Sequence, residues 1–335
     1  METLYRRLLK VMPRLGLQVT DLGPGTAVVS RRGKRVRIPL GPGTDVLAKD
    51  ERWAVNGVGD DTWVVRRRSS RTEPEQGATE TTSVRLGNSG AHLLLDRSAL
   101  TDERKLQLAA SEFLGTHHVV GMLDLYGVNC VFDVGANTGQ YARRLRRLGY
   151  RGRIVSFEPT AEHFAKLEKA AENDPDWWVL QYGLGREDTA TTIHTGWNTM
   201  NSLLPPSDYG KDRYGRFATS ETEEIQIRRL DGLMDKALDG LTEPRPFLKM
   251  DTQGYDLEVF AGAGDRIKDF VGLQSEVALL QLYEGSPRMS EAIAAYEAGG
   301  FGITGMYPVT REAHTGRVIE FDCVMMRADA APTTG

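Results

Sequence analysis

The chain is poor in cysteine, has no long apolar run and carries no dominant charge. Only Cys130 and Cys323 occur in 335 residues. Each sits in apolar, strand-like text with no ligand-like neighbour, which excludes a disulfide framework and reads as a reduced core thiol. No stretch approaches the roughly 20 apolar residues of a bilayer span, so no membrane partner is expected. The opening M-E-T-L-Y-R-R-L-L-K-V-M-P-R-L lacks the continuous apolar segment of a secretory signal, and the expected compartment is the cytoplasm. With 42 Lys and Arg against 46 Asp and Glu, the net charge of -4 argues against a polyanion as dominant partner. Hydrophobic residues at 40% and charged residues at 26% are those of an ordinary soluble protein.

In the N-terminal third, Leu4, Leu8, Val11 and Leu15 recur at helical spacing and predict an amphipathic helix that Pro13 bends or ends. A homodimer contact through this region is one reading of that helix. From Thr26 to Ile38 apolar and charged residues alternate around Gly33, which predicts a β-hairpin, with Trp63, Val64 and Val65 as a third strand. Residues 1–68 are thus read as a small α+β appendage. Arg31, Arg32, Lys34, Arg35, Arg37, Arg66, Arg67, Arg68 and Arg71 cluster here. No aromatic residues interleave with them as stacking platforms, so the cluster reads as a solvated face and nucleic acid is not the expected partner. Residues 69–83 contain no apolar side chain larger than Ala and cannot recover ordering entropy by burial; they are read as a flexible linker. The second domain is placed at 84–330, with a lead-in strand at His92 to Leu95, two helical pieces from Thr101 to Leu125, and a core over 126–327.

That core is organised around Val131 to Gln140, V-F-D-V-G-A-N-T-G-Q. A buried strand carrying Asp133 ends there and breaks into Gly135, Ala136, Asn137, Thr138 and Gly139 before a helix. Glycines at such a corner let the backbone turn tightly and approach a ligand, while the helix start offers unpaired N–H groups. Glu158 ends the next apolar run, where a doubly wound sheet holds a ribose. Asn137 stands where the dinucleotide fingerprint wants its second glycine, which weakens a hydride-transfer reading. Gln181 and Tyr182 follow the third strand, Trp177 to Leu180, where an adenine base is expected. Ile225, Ile227 and Leu230 predict an edge strand. Phe247 to Asp251 and Leu273 to Glu276 are further strands, and their acids should converge with Asp133 and Glu158 on one crevice. Between them Gly196 to Phe217 is long and irregular; Trp197, Tyr209 and Tyr214 suggest a substrate-facing lid.

These motifs resemble one family. Asp133 to Gln140 as D-V-G-A-N-T-G-Q, Phe157 to Pro159 as F-E-P, Asn201 to Leu203 as N-S-L, and Lys249 to Asp256 as K-M-D-T-Q-G-Y-D are similar to the FkbM family of S-adenosylmethionine-dependent methyltransferases. The chain departs from the family pattern at Asp256, where Glu is usual, and at Gly183, Leu184, Gly185, where Ala-Leu-Gly is frequent. The resemblance implies an α/β, class I (Rossmann-like) fold with a mostly parallel seven-stranded sheet and an antiparallel last strand at Ile319 to Met326. It also implies S-adenosyl-L-methionine as cofactor, Pro159 beside Glu158, and Asn201 and Ser202 as parts of the site. The implied activity is O-methylation of a small-molecule hydroxyl on a sugar, polyketide or related metabolite. Two readings compete with it: a nucleic-acid methyltransferase, which would want N/D-P-P-Y where this chain has M-D-T-Q, and a non-catalytic adenosylmethionine-binding scaffold.

Methyl transfer to oxygen needs an acceptor held against the methyl group and a base for its proton. Asp251 is the first candidate, followed by Lys249 if burial lowers its pKa, then Glu276 and His194. Asp251 and Glu276 offer oxygen ligands to a divalent ion, but no third ligand is evident and no metal is expected.

Overall fold

The computed structural model describes the strands between 17 and 96 and then residues 103–312, 314–330 and 332. It divides into two compact units, Met1–Leu106 and Gln107–Gly335. Among its described residues the first contains four antiparallel hairpins: β1 (Leu17–Gly23) with β2 (Thr26–Arg31), β3 (Val36–Gly41) with β4 (Thr44–Ala48), β5 (Trp53–Gly59) with β6 (Thr62–Arg67), and β7 (Thr81–Leu86) with β8 (Ala91–Asp96). The hairpin expected to turn at Gly33 is therefore corrected. β2 pairs back onto β1 and β3 forward onto β4, because both pairs are joined by G-P-G-T, a stronger turn signal than a lone glycine. Likewise the segment after the expected linker pairs with itself, β7 on β8, and Thr81 to Ser83 already belong to a strand. The Leu4 to Leu15 helix, the Thr101 cap and residues 69–80 of the linker lie outside the described residues.

One continuous helix, α1 (Glu103–Leu125), stands where two pieces were expected, and the second unit takes it up from Gln107. Its main sheet contains β9 (Cys130–Val134), β10 (Arg153–Phe157), β11 (Trp177–Leu180), β15 (Pro246–Met250), β16 (Gly272–Ala278), β17 (Phe301–Arg311) and β18 (Val318–Arg327). The order is β11-β10-β9-β15-β16-β18-β17, parallel except for β18, which runs antiparallel between β16 and β17. This is the class I methyltransferase architecture. Strand alternation supplies both cores: Phe132, Phe157 and Leu248 pack on one face, Val131, Ile154 and Phe247 on the other. Cys130 and Cys323 are buried free thiols within these cores.

Helices α2 (Gln140–Arg147) and α3 (Ala161–Ala171) follow β9 and β10. α2 buries Ala142 and Leu145. Among its arginines, Arg146 binds Asp174 at 2.7 Å and the carbonyls of Tyr150 and Gly152. A second sheet, ordered β12-β14-β13, is built from β12 (Gly183–Leu184), β13 (Thr189–Thr195) and β14 (Glu221–Arg228). The strand of Ile225 and Ile227 is thus central in this small sheet, flanked on both sides, and not an edge. Gly183 suits this arrangement, since a Cβ there would stand 2.5 Å from Ile227 Cδ1. Four short helices complete the unit: α4 (Asp208–Arg213), α5 (Asp231–Leu238), α6 (Asp256–Gly262) and α7 (Met289–Ala298). No helix of the described residues is long and apolar enough to cross a membrane.

Candidate functional site

The carboxyl ends of β9, β10 and β15 open onto one cleft, and the turn after β9 forms its floor. Gly135 has φ +74°, and a Cβ there would lie 2.0 Å from the Asp251 carbonyl oxygen, so the turn is possible only without a side chain. Gly135, Ala136 and Asn137 line the cleft; Thr138 and Gly139 do not. Gly139, at φ +82°, instead makes room for the Trp177 ring, which a Cβ would approach to 2.7 Å. Glu158 lines the cleft beside Pro159 and is 5% exposed. Its Oε1 accepts from the Thr160 N–H (3.0 Å) and hydroxyl (2.6 Å), and its Oε2 from the Asn137 N–H (2.9 Å). A carboxylate offers about four acceptor positions. Oε2 therefore keeps one acceptor position free, enough for one ribose hydroxyl.

Burial pushes the Glu158 carboxyl above the usual carboxylate range, against the pull of its Thr160 and Asn137 hydrogen bonds. A protonated Glu158 loses acceptor capacity, so affinity for adenosylhomocysteine should fall as pH drops through that raised value. Calorimetry over pH 4.5 to 8 is the check. Glu158→Gln should weaken binding about 10- to 100-fold and remove the share of the pH dependence that Glu158 carries.

Asp133, expected to hold the cofactor, is fully buried and does not line the cleft. It stands opposite Ser156 and Lys249 in register, accepts from the Ser156 hydroxyl at 3.1 Å, and has Lys249 Nζ 3.0 Å from its Oδ1. Asp133 therefore fixes Lys249. Lys249 Nζ also lies 3.6 Å from Asp251 Oδ2 and donates long bonds to the Val134 and Gly135 carbonyls. Burial pulls the Lys249 pKa down, but the carboxylates of Asp133 and Asp251 outweigh it and raise the pKa above its ordinary value. Lys249 is thus a held cation, and its expected role as base is corrected. Asp251 lines the cleft with its side chain 44% exposed and accepts from Gln253 Nε2 at 2.9 Å.

The remaining candidates divide. Tyr182 and Asn201 line the cleft, whereas Gln181 is exposed and does not. Ser202 braces the site from behind, donating to the Gln253 carbonyl at 2.8 Å. The aromatic residues expected to form a lid are anchors. Trp197 is fully buried, donates to the Thr219 carbonyl and packs on Phe217; Tyr209 donates to Glu312; Tyr214 packs on Phe217. A long irregular segment needs its own small core, and these rings supply it. His194 stacks on Trp197 with Nδ1 at Ser220, outside the cleft lining. Glu276 accepts from Gln253 Nε2 at 3.1 Å and lies outside the cleft lining too; it borders a small cavity with Glu320.

Several cleft residues were missed. Tyr141 and Arg144 on α2, and Asp322 inside the final strand, line the cleft with Gln274. Ile193, Leu203 and Ile225 give it an apolar wall. Helical spacing on α2, i to i+3, is the one signal that places Tyr141 and Arg144 on a shared face.

Behind the cleft the acids crowd. Burial, then Asp251, Asp256 and Asp322, push Glu320 up to about 8, and burial with Asp251 pushes Asp322 up to about 6. Above its ordinary 4.5 and below about 8, Glu320 holds a proton in the folded protein that the unfolded chain has released. Stability should therefore decline as pH rises through that window. Thermal melts from pH 5 to 8 test this, and Glu320→Gln should flatten the decline. Among the described residues no group of three or more His, Cys, Asp or Glu is placed to hold a metal ion.

A cleft with a glycine turn, a buried acid at the tip of the second strand and an apolar wall fits an adenosyl group, and the sheet order defines a class I S-adenosylmethionine-dependent methyltransferase. The chain belongs to the FkbM methyltransferase family, whose domain model (Methyltransferase FkbM domain) matches residues 133–301. It is similar to Methyltransferase 1 of Beauveria bassiana (strain ARSEF 2860), 22% identical over 190 residues, covering 52% of this chain and 72% of that protein. Similar solved structures include magnesium protoporphyrin IX methyltransferase from Synechocystis PCC 6803 with bound cofactor, at 10% identity and TM-score 0.37, covering 68% of this chain and 85% of that one. Another is Aeropyrum pernix fibrillarin with natively bound S-adenosyl-L-methionine, at 10% identity and TM-score 0.36, covering 82% and 96%.

Proposed function

We propose that the protein methylates a hydroxyl of a small molecule, a sugar, polyketide or related specialised metabolite. The observation that supports this reading is Asp251. It is the half-exposed carboxylate at the end of β15, facing the cleft beside the cationic Lys249 and fixed by Gln253. The cofactor supplies an electrophilic methyl group. Gly135, Glu158 and Pro159 would hold its adenosyl part, while Asn201 offers its amide to an acceptor hydroxyl in the same cleft. Asp251 would take the proton of an acceptor hydroxyl held in the cleft, where the bound cofactor would supply the methyl group. Lys249 contributes fixed positive charge and no proton acceptor.

The test has two stages. Calorimetry with adenosylhomocysteine should show binding; its absence overturns the cofactor site. Transfer of labelled methyl is then followed into a panel of hydroxylated glycosides and polyketides, with total RNA and protein extract in parallel. Label in RNA alone, or in no pool, overturns the small-molecule reading.

A further inference from the structure

Asp251 stands in the cleft, but the groups that aim it do not. Its Oδ1 accepts from Gln253 Nε2 at 2.9 Å, and the same nitrogen donates to Glu276 Oε2 at 3.1 Å. A primary amide has two N–H donors and one oxygen acceptor, so both donors are engaged. The oxygen, Gln253 Oε1, accepts from the Tyr283 hydroxyl at 2.9 Å, and that hydroxyl also reaches the Met200 carbonyl at 2.8 Å. Turning the amide over would set its oxygen against the Asp251 carboxylate and leave that carboxylate without its donor. One orientation alone suits all the partners. The backbone carries the same demand: Gln253 has φ +54°, the left-handed region that a residue with a side chain seldom occupies, and Ser202 donates to its carbonyl at 2.8 Å. Strain of that kind persists where surrounding contacts over-determine a residue, and it gathers at functional sites. Both anchors belong to rigid parts of the fold. Glu276 sits within β16, paired with Asp322 of β18, and Tyr283 is buried with its ring against Phe217. Neither lines the cleft.

We propose that Glu276 and Tyr283 are positioning residues for methyl transfer, acting through the Gln253 amide to hold the Asp251 carboxylate at a set angle in the cleft. With Oδ1 tied to Gln253, Oδ2 is the oxygen left to receive a proton; Lys249 Nζ, 3.6 Å from it, is too far for a hydrogen bond. A displacement of about 1 Å at a reacting group can cost on the order of 100-fold in rate. A clamp anchored in a strand and an aromatic core therefore governs turnover although its anchors touch no ligand. Glu276 serves in it as an oxygen acceptor for Gln253, and neither as a base nor as a charge. This role rests on Asp251 as the base, the reading proposed above.

Two measurements on the full chain test the clamp. Glutamine-selective isotope labelling and NMR follow the side-chain amide of Gln253, identified as the pair of signals missing from Gln253→Met. Its protons should exchange with solvent at least about tenfold more slowly than those of an exposed glutamine. Glu276→Leu and Tyr283→Phe should each speed that exchange about tenfold, whereas Glu276→Gln, which still presents an oxygen, should keep it within about threefold of wild type. Transfer of labelled methyl into the responding glycoside or polyketide of the panel gives the kinetic half. Glu276→Leu should lower kcat about 10- to 100-fold with KM and adenosylhomocysteine affinity within about threefold, Tyr283→Phe should lower it less, and Glu276→Gln should restore it to within about threefold of wild type. In an Asp251→Asn background Glu276→Leu should cost less than about a further twofold, because the base it aims is gone; a general structural defect would be as large there as in wild type. Equal losses for Glu276→Gln and Glu276→Leu, unaltered exchange in Glu276→Leu, or an undiminished loss in the Asp251→Asn background each overturn the clamp. Should Glu276→Leu not fold, Tyr283→Phe carries the same comparisons. Wild-type turnover in Asp251→Asn would sink the base and the positioning role with it, whereas an inactive Asp251→Asn with no effect of Glu276→Leu sinks the clamp alone.

Discussion

Replacing Lys249 by Met should lower the unfolding free energy of the methyltransferase unit by about 3–5 kcal/mol, because it leaves a buried carboxylate without its counter-charge. Asp133 is fully buried, and its Oδ1 has no hydrogen-bond partner; the Lys249 ammonium 3.0 Å away compensates it as a charge and not as an aligned donor. The expected drop in melting temperature is roughly 6–20 °C for a unit of this size. The double variant Lys249→Met, Asp133→Leu should recover much of that loss, since removing both charges removes the desolvation cost with the attraction. Chemical denaturation of the two single variants and the double variant gives the coupling energy directly. A Lys249→Met protein as stable as wild type would undo the account of Lys249 as a held cation.

Asp251→Asn should reduce methyl transfer about 100- to 10,000-fold, the usual contribution of a positioned proton acceptor. The substitution keeps the shape of the side chain and its contact with Gln253, so adenosylhomocysteine affinity should change by less than about threefold. Single-turnover transfer and calorimetry on the same preparation separate the two effects. If affinity falls as much as turnover does, Asp251 belongs to the cofactor and the base lies elsewhere. Lys249 offers no substitute acceptor, and Glu276 and His194 do not face the cleft, so little residual base catalysis is expected in this variant.

The glycine corner, the acid at the tip of β10 and the strand delivering Asp251 were all legible from local text. Each is announced by a short apolar run breaking into residues that only a strand-to-helix turn tolerates, and such signals are contained within about ten residues. The four motifs in their order also carried the family. The N-terminal pairing was misread because a strand records its own alternation but not its partner; the repeated G-P-G-T turns held that information. β17 was not anticipated, since its mix of glycine, proline and exposed apolar residues has no clean period. The aromatic residues of 197–217 show the complementary error. Exposed chemistry and a private core demand the same residue types, and composition does not distinguish them.

From its amino acids alone the chain determined that a strand ends at Val134 with an acid inside it and that a second acid waits at Glu158. Which of its acids touch a ligand was decided only in three dimensions. Asp133 and Asp251 lie equally near strand ends, yet Asp133 meets Lys249 in register on the neighbouring strand and is sealed in, while Asp251 clears the sheet. Arg144 and Asp322, 178 residues apart, come to line one cleft because β18 inserts between β16 and β17. Strand insertion is a long-range choice, settled by burying both faces of the sheet at once, and no local pattern records it.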